Sequence, residues 1–413
     1  MHSEWIPQIW MVLPFVGLLL SIALFPLFAP AFWHRIRNQA MVSALFSLPV
    51  IFLCGRYAPH KFLESMEHYV SFVILLGALF TVSGGIHLAG HLKNTPRANT
   101  ALLGAGAILS NLVGTTGASM VLIRPLLSAN AHRRHHAYLP IFFIMVVSNA
   151  SGMLTPLGDP PLFLGYLLGV PFFWTLKLFP IWFVSVSFLL IVFYFIDKKF
   201  HRKTPAPKLN HGDKPAAPKI YGKRSFACLV AVVAAVFLPP PVRELVMVAA
   251  ALTAYKITPS KYHRDNDFNF MPIQEVAVLF LGIFITMVPA LELLRLRGGE
   301  LGVTAPWQFF WSTGGFSSVL DNAPTYLTFV ALGQGLGAGG PYLAIPENIL
   351  MAISAGAVLF GACTYIGNAP NFMVRSIAAH RGWKMPSFFG YLFWSLLFLI
   401  PLFMLLTVLF FRG

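Results

Sequence analysis

The chain has 413 residues, 57% of them hydrophobic and only 10% charged, with a formal net charge of +15. Soluble domains carry roughly a quarter charged residues. Here apolar runs of about 20 residues recur along the whole length, as a bilayer core of about 30 Å requires. A soluble globular protein is excluded and an all-α polytopic membrane protein is expected, with basic residues in the loops between spans rather than on a nucleic-acid surface.

Apolar spans are predicted near 8–31, 39–57 and 66–90. Glu4 is the only clear charge before the first run, and that run is too long for a signal-peptide core, so no cleavable signal is expected. A shorter pair, 98–110 and 117–128, flanks Leu112-Val-Gly-Thr-Thr-Gly117. Neither arm crosses a bilayer comfortably, which predicts a re-entrant hairpin with its tip over Ser110–Ser119. The next run, 137–169, is interrupted by Gly152-Met-Leu-Thr155-Pro-Leu-Gly158-Asp159-Pro-Pro161-Leu-Phe163. Two prolines, two glycines and an acid are hostile to a continuous helix at membrane depth. A plain span, 177–197, ends in Asp197-Lys198-Lys199. Residues 198–222 read as a solvated cytoplasmic linker that divides a first half, 1–197, from a second, 223–413.

The second half holds spans near 225–240, 242–257 and 272–296, then another split pair, 304–320 and 324–338. That pair surrounds Ser317-Ser-Val-Leu-Asp321-Asn322-Ala-Pro324-Thr325. The run 346–378 is broken by Gly361-Ala-Cys-Thr364-Tyr-Ile-Gly367-Asn368-Ala-Pro370-Asn371-Phe372, and 386–411 is the last span. Thr155 and Thr364 lie 209 residues apart, as do Thr116 and Thr325, and Asp159 is answered by Asn368. One offset aligning both tips and both breaks indicates an internal duplication. Five crossings plus a hairpin in each half predict an inverted-topology repeat of about ten transmembrane helices, with two re-entrant hairpins and two broken helices. Of the 29 Lys and Arg, 21 fall in the loops that are cytoplasmic if the linker is, which places both termini outside.

Hairpin tips and helix breaks leave backbone groups unpaired, tolerated only where they are buried or line a wet cavity. The four elements supply Asn111, Thr115, Thr116, Thr155, Asp159, Asp321, Asn322, Thr325, Thr364, Asn368 and Asn371. These are hard oxygen donors, suited to a small hard cation. Cys54, Cys228 and Cys363 are scattered in apolar stretches without metal-ligand spacing and read as structural. Asp159 and Asp321 stand out among only 14 acidic residues, because an ionisable group deep in a span marks a functional site. Desolvation makes a carboxylate hold a proton more tightly, so proton and metal cation can compete for it. The alternative is that each aspartate caps a half-helix; the two readings are compatible. Glu275 reads as interfacial, Glu292 with Arg295 as an outer ion pair, and Arg124 as structural or interfacial, with holding an anionic substrate or balancing an acid as alternatives. His87 reads as packing, and His132-Arg-Arg-His135-His136 as a basic loop. Gly333–Gly340 is a turn rather than a phosphate loop, with no nucleotide motif in the chain.

Thr155-Pro-Leu-Gly158-Asp159-Pro, Leu320-Asp321-Asn322-Ala-Pro324-Thr325 and Gly367-Asn368-Ala-Pro370-Asn371 resemble the ion transporter superfamily over nearly the whole chain. Within it they are most similar to NhaD-type sodium/proton antiporters and related citrate transporters. The resemblance implies two re-entrant hairpins, a transport domain moving elevator-like against a scaffold, and a homodimer. Ser110-Asn111 is followed by Leu112 rather than the threonine of the dicarboxylate branch, and two acids in a site would repel a multiply charged anion. The expected function is therefore non-enzymatic exchange of Na⁺ or Li⁺ for H⁺ across the inner membrane, at Asp159 and Asp321, without a cofactor. The alternative is Na⁺- or H⁺-coupled carriage of citrate or another carboxylate.

Overall fold

The computed structural model describes residues 5–89, 93–133, 135–203 and 219–412. In chain order the first half gives α1 (Leu13–Phe28), α2 (Pro30–Trp33), α3 (Ile36–Tyr57), α4 (Pro59–Gly84), strand β1 (His87–Ala89), α5 (Pro96–Ala129), α6 (Tyr138–Val146), α7 (Pro160–Leu167) and α8 (Phe179–His201). Strand β2 (Lys219–Tyr221) opens the second half. There follow α9 (Lys223–Ala235), α10 (Val242–Ile257), α11 (Ser260–Asp265), α12 (Met271–Arg297), α13 (Pro306–Val319), α14 (Asn322–Gln334), α15 (Glu347–Phe360), α16 (Ala369–His380) and α17 (Phe388–Phe410). Among the described residues, seven helical stretches are long and apolar enough to cross a bilayer. This is a polytopic membrane protein.

The helices begin where the sequence supplies a start. Pro59, Pro96, Pro160 and Pro306 each occupy a first helical position, where the fixed φ suits the helix and no amide is wasted. The span expected at 66–90 therefore starts earlier, at Pro59, and stops at Gly84. Residues beyond it form β1, which pairs antiparallel with β2 in the register His87 to Tyr221. This two-stranded clasp departs from the expected all-α fold. It also recruits the end of the predicted linker, whose first residues continue α8. Residues 204–218 of that linker lie outside the described residues.

Burial sorts the helices into an interior and a rim. Every residue of α6 is buried, and 78% of the apolar window of α5 is, against 28% for α1, α3 and α17. Lipid is as apolar as leucine, so the rim helices gain little by hiding such faces. Polar side chains stitch the interior instead. On α4, Ser65 Oγ donates to Phe284 O at 2.6 Å and Tyr69 OH to Ala277 O at 2.9 Å, both on α12. Phe72 stacks on Phe280 with ring centroids 5.0 Å apart. Hydrogen bonds of this kind hold membrane helices together where the hydrophobic effect does not.

Candidate functional site

Four interruptions meet inside this packing. The first lies in α5, which breaks at Gly114 with φ 78° and ψ 157°. That region is closed to side-chain-bearing residues, and a Cβ there would also lie 3.3 Å from Leu157 O. The break frees the Thr115 amide, which donates to Gly158 O at 2.8 Å. The second is the chain between α6 and α7, where Gly152 and Gly158 approach so closely that a Cβ on Gly158 would sit 2.4 Å from Gly152 O. The third is the turn between α13 and α14. The fourth, between α15 and α16, repeats the glycine approach: a Cβ on Gly367 would sit 2.7 Å from Gly361 O.

Asp159 is where these pieces join. It occupies the N-cap position of α7 in extended conformation, yet its side chain caps nothing. The carboxylate is 1% exposed. Its Oδ1 accepts from Thr115 Oγ1 at 2.8 Å and from Asn368 Nδ2 at 3.1 Å, and its Oδ2 accepts from Asn322 Nδ2 at 2.5 Å. Thus one residue from each of the other three interruptions touches it. Among the described residues no Lys, Arg or His bonds to it. Asn322 Oδ1 is buried beside it without a hydrogen-bond partner. An orphaned buried acceptor is costly unless something electropositive comes to it.

The remaining predicted residues hold the pieces in place. Asn111 Oδ1 accepts from Leu154 N at 2.8 Å, and Thr155 Oγ1 returns a bond to Asn111 O at 2.5 Å. Thr364 Oγ1 donates to Ser318 O at 2.6 Å and accepts from Gly367 N at 3.0 Å. Asn371 Nδ2 donates to Gly361 O and Thr364 O. Thr325 Oγ1 bonds Asp321 O within its own helix. Thr116 is half-buried. Asp321 itself is half-buried and accepts from Ala323 N at 3.1 Å, a helix cap. The capping alternative therefore describes Asp321 and not Asp159.

Asn149 escaped the sequence reading. It accepts from Asn368 Nδ2 at 3.2 Å and donates to Asn371 Oδ1 at 2.7 Å, so it ties the two breaks together. Its signal was a polar Ser148-Asn149 pair closing the apolar run of α6. The comparison of halves hides it, because Val358 stands 209 residues later. Of the basic side chains, Arg124 pairs with Asp267 at 3.4 Å, and Arg375 of α16 lies 4.7 Å over the ring of Tyr365 in the fourth interruption. Glu275 accepts from Gln39 Nε2 at 2.6 Å, and His87 Nδ1 shares a hydrogen bond with Asn266.

A family profile described as putative citrate transport matches residues 4–411. The chain belongs to the putative citrate transport family. With its membrane-spanning helices, that makes it a multi-pass transporter. A member of the same broad kind is a protein of Synechocystis sp. described as an uncharacterized transporter, 24% identical over 306 residues. The match spans 64% of this chain and 66% of that protein, just under two thirds of its length. In this family member the Asp159 cluster joins buried polar groups from all four interruptions.

Proposed function

We propose that this protein is a secondary transporter exchanging Na⁺ or Li⁺ for H⁺, with Asp159 as the carrier of both. What supports this is the composition of the Asp159 cluster: a buried carboxylate, two amides and a hydroxyl, with one amide oxygen unpaired and no basic side chain bonded to it. Oxygen donors of this type suit a small hard cation. The protonated and the cation-loaded carboxylate carry the same net charge. The low-dielectric site therefore holds either, and disfavours the bare anion. Such a site crosses loaded with one ion or the other, which is the requirement for exchange. On this reading the halves form an inverted repeat, the α5 and α13–α14 turns are re-entrant tips, and the Asp159 region moves elevator-like against α4 and α12. The protein would work as a homodimer in the inner membrane.

The test uses proteoliposomes with an imposed pH gradient and a pH-sensitive dye. Addition of Na⁺ or Li⁺ collapses the gradient in the parent protein and not in Asp159→Asn, while the variant still elutes as a folded species. Exchange in Asp159→Asn at the parent rate sinks the proposal. The family description favours a second reading, coupled citrate carriage. A response that requires citrate would establish it, leaving Asp159 to bind the coupling ion.

A further inference from the structure

A cavity of about 60 Å³ opens between α4, α12, α7 and α14. Its floor is apolar, with Leu164, Phe284 and Leu327. Leu164 is five residues beyond Asp159 and Leu327 six beyond Asp321. At 1.5 Å rise per residue these floor positions lie about 7.5–9 Å along the axes of α7 and α14 from the two aspartates. The upper wall is charged. Glu292 of α12 is buried, its side chain 7% exposed, and ion-pairs with Lys61 Nζ from the start of α4. Arg295 Nη1 lies 3.8 Å from the other Glu292 oxygen, and its Nε donates to Gln334 Oε1 at the end of α14 at 2.9 Å. Glu64 and His68 complete the wall.

Lys61 differs from Glu292 in kind. Its side chain is 39% exposed, on a flexible stem that carries a compact point charge. A buried carboxylate needs a positive partner, but a half-exposed ammonium holds its place only weakly. The space beside the pair accommodates an ion with some of its water. At the opposite end of the bundle the position 209 residues before Glu292 is Ser83. There the packing is shut: a Cβ on Gly117 would lie 2.4 Å from Ser83 Oγ. The charged cavity thus has no counterpart at Ser83.

We propose that Glu292 forms an antechamber site for the transported small monovalent cation, held in reserve by the Lys61 ammonium, which the cation displaces on its way to Asp159. Lys61 is then a tethered stand-in that, with Arg295 at the other carboxylate oxygen, keeps Glu292 compensated between arrivals. The inference rests on the reading of Asp159 as a cation carrier, so its test must separate the two.

Equilibrium binding of radiolabelled Na⁺ to the purified full chain does so. Asp159→Asn is expected to lose one class of sites and keep another. The remaining class disappears in Asp159→Asn/Glu292→Gln. In Asp159→Asn/Lys61→Met it binds Na⁺ about two- to fivefold more tightly, the worth of a half-exposed ion pair. Residual binding that is unchanged by Glu292→Gln overturns the antechamber, as does a complete loss of binding in Asp159→Asn alone. If the parent and Asp159→Asn bind equal amounts, and Glu292→Gln removes that binding, the carrier assignment fails while the antechamber stands.

Discussion

Asp197, near the end of α8, offers a quantitative test of how the interior is held. Its side chain and that of Arg133 are both fully buried and ion-paired. Tyr138 OH donates to the same Asp197 oxygen at 2.7 Å, and Asn99 Nδ2 to the other at 2.9 Å. Asn99 and Asn130 exchange a reciprocal pair of amide bonds at 3.0 Å. Asp197→Leu leaves the Arg133 guanidinium buried without a carboxylate, which costs about 3–5 kcal/mol. Arg133→Met strands Asp197 in the same surroundings and costs about as much. The double variant removes both charges at once but leaves the buried Tyr138 hydroxyl without its acceptor, so it is expected to cost about 1–3 kcal/mol, well short of the sum of the single losses, because a buried pair replaced by apolar residues is often close to neutral. Unfolding in detergent micelles, read as a double-mutant cycle, gives the coupling energy. Losses that simply add, with coupling below about 0.5 kcal/mol, would refute the claim that these charges compensate each other.

Other outcomes follow from the site and its frame. Asp321→Asn keeps a good helix cap and removes the charge, whereas Asp321→Ala removes both; loss of exchange in the first assigns Asp321 a role in ion binding, and loss only in the second assigns it the cap, worth about 1 kcal/mol. Gly158→Ala forces a Cβ against Gly152 O and is expected to destabilise by about 1–3 kcal/mol, whereas Gly55→Ala, with nothing within 4 Å of the new methyl, should be neutral or stabilising in the same thermal assay. His263 on α11 stacks between Tyr255 and Phe268 with centroids 5.0 Å from each, and burial holds its pKa below the ordinary 6.5. The folded state therefore binds fewer protons there than the unfolded chain. Its contribution to stability is complete above about 6.5 and is lost as pH falls toward the folded value. His263→Phe should flatten the melting temperature across that window.

The interruptions were legible because their residues are wrong for a helix in lipid. Proline pairs, facing glycines and hydroxyls announce a break wherever they fall, and each break is found close to its predicted place. What the sequence could not convey was direction. It offered Asp159 and Asp321 as equals, but one carboxylate gathers donors from three other elements while the other closes the first turn of its own helix. Arg124, read as structural or interfacial with holding an anionic substrate or balancing an acid as alternatives, pairs with Asp267. The β1–β2 clasp was invisible for a related reason: its strands are three residues each, separated by well over a hundred positions, and one of them ends an apolar run that reads as helix. Asn149 was lost because the duplicated pattern directs attention to what recurs, and its counterpart is a valine.

The approach of Asn368 to Asp159 has a consequence for the proposed duplication. On the inverted-repeat reading the two residues, 209 positions apart, are counterparts, and their polar atoms lie 3.1 Å apart. A chain with identical halves would set two carboxylates at that distance, and only one of them could ionise. Such a molecule would share a single proton across its centre and offer a cation two competing anions. An amide in one half breaks the tie: it donates where an acid would repel, and leaves a single negative group at the centre. Where matching positions of the two halves touch, they have to differ.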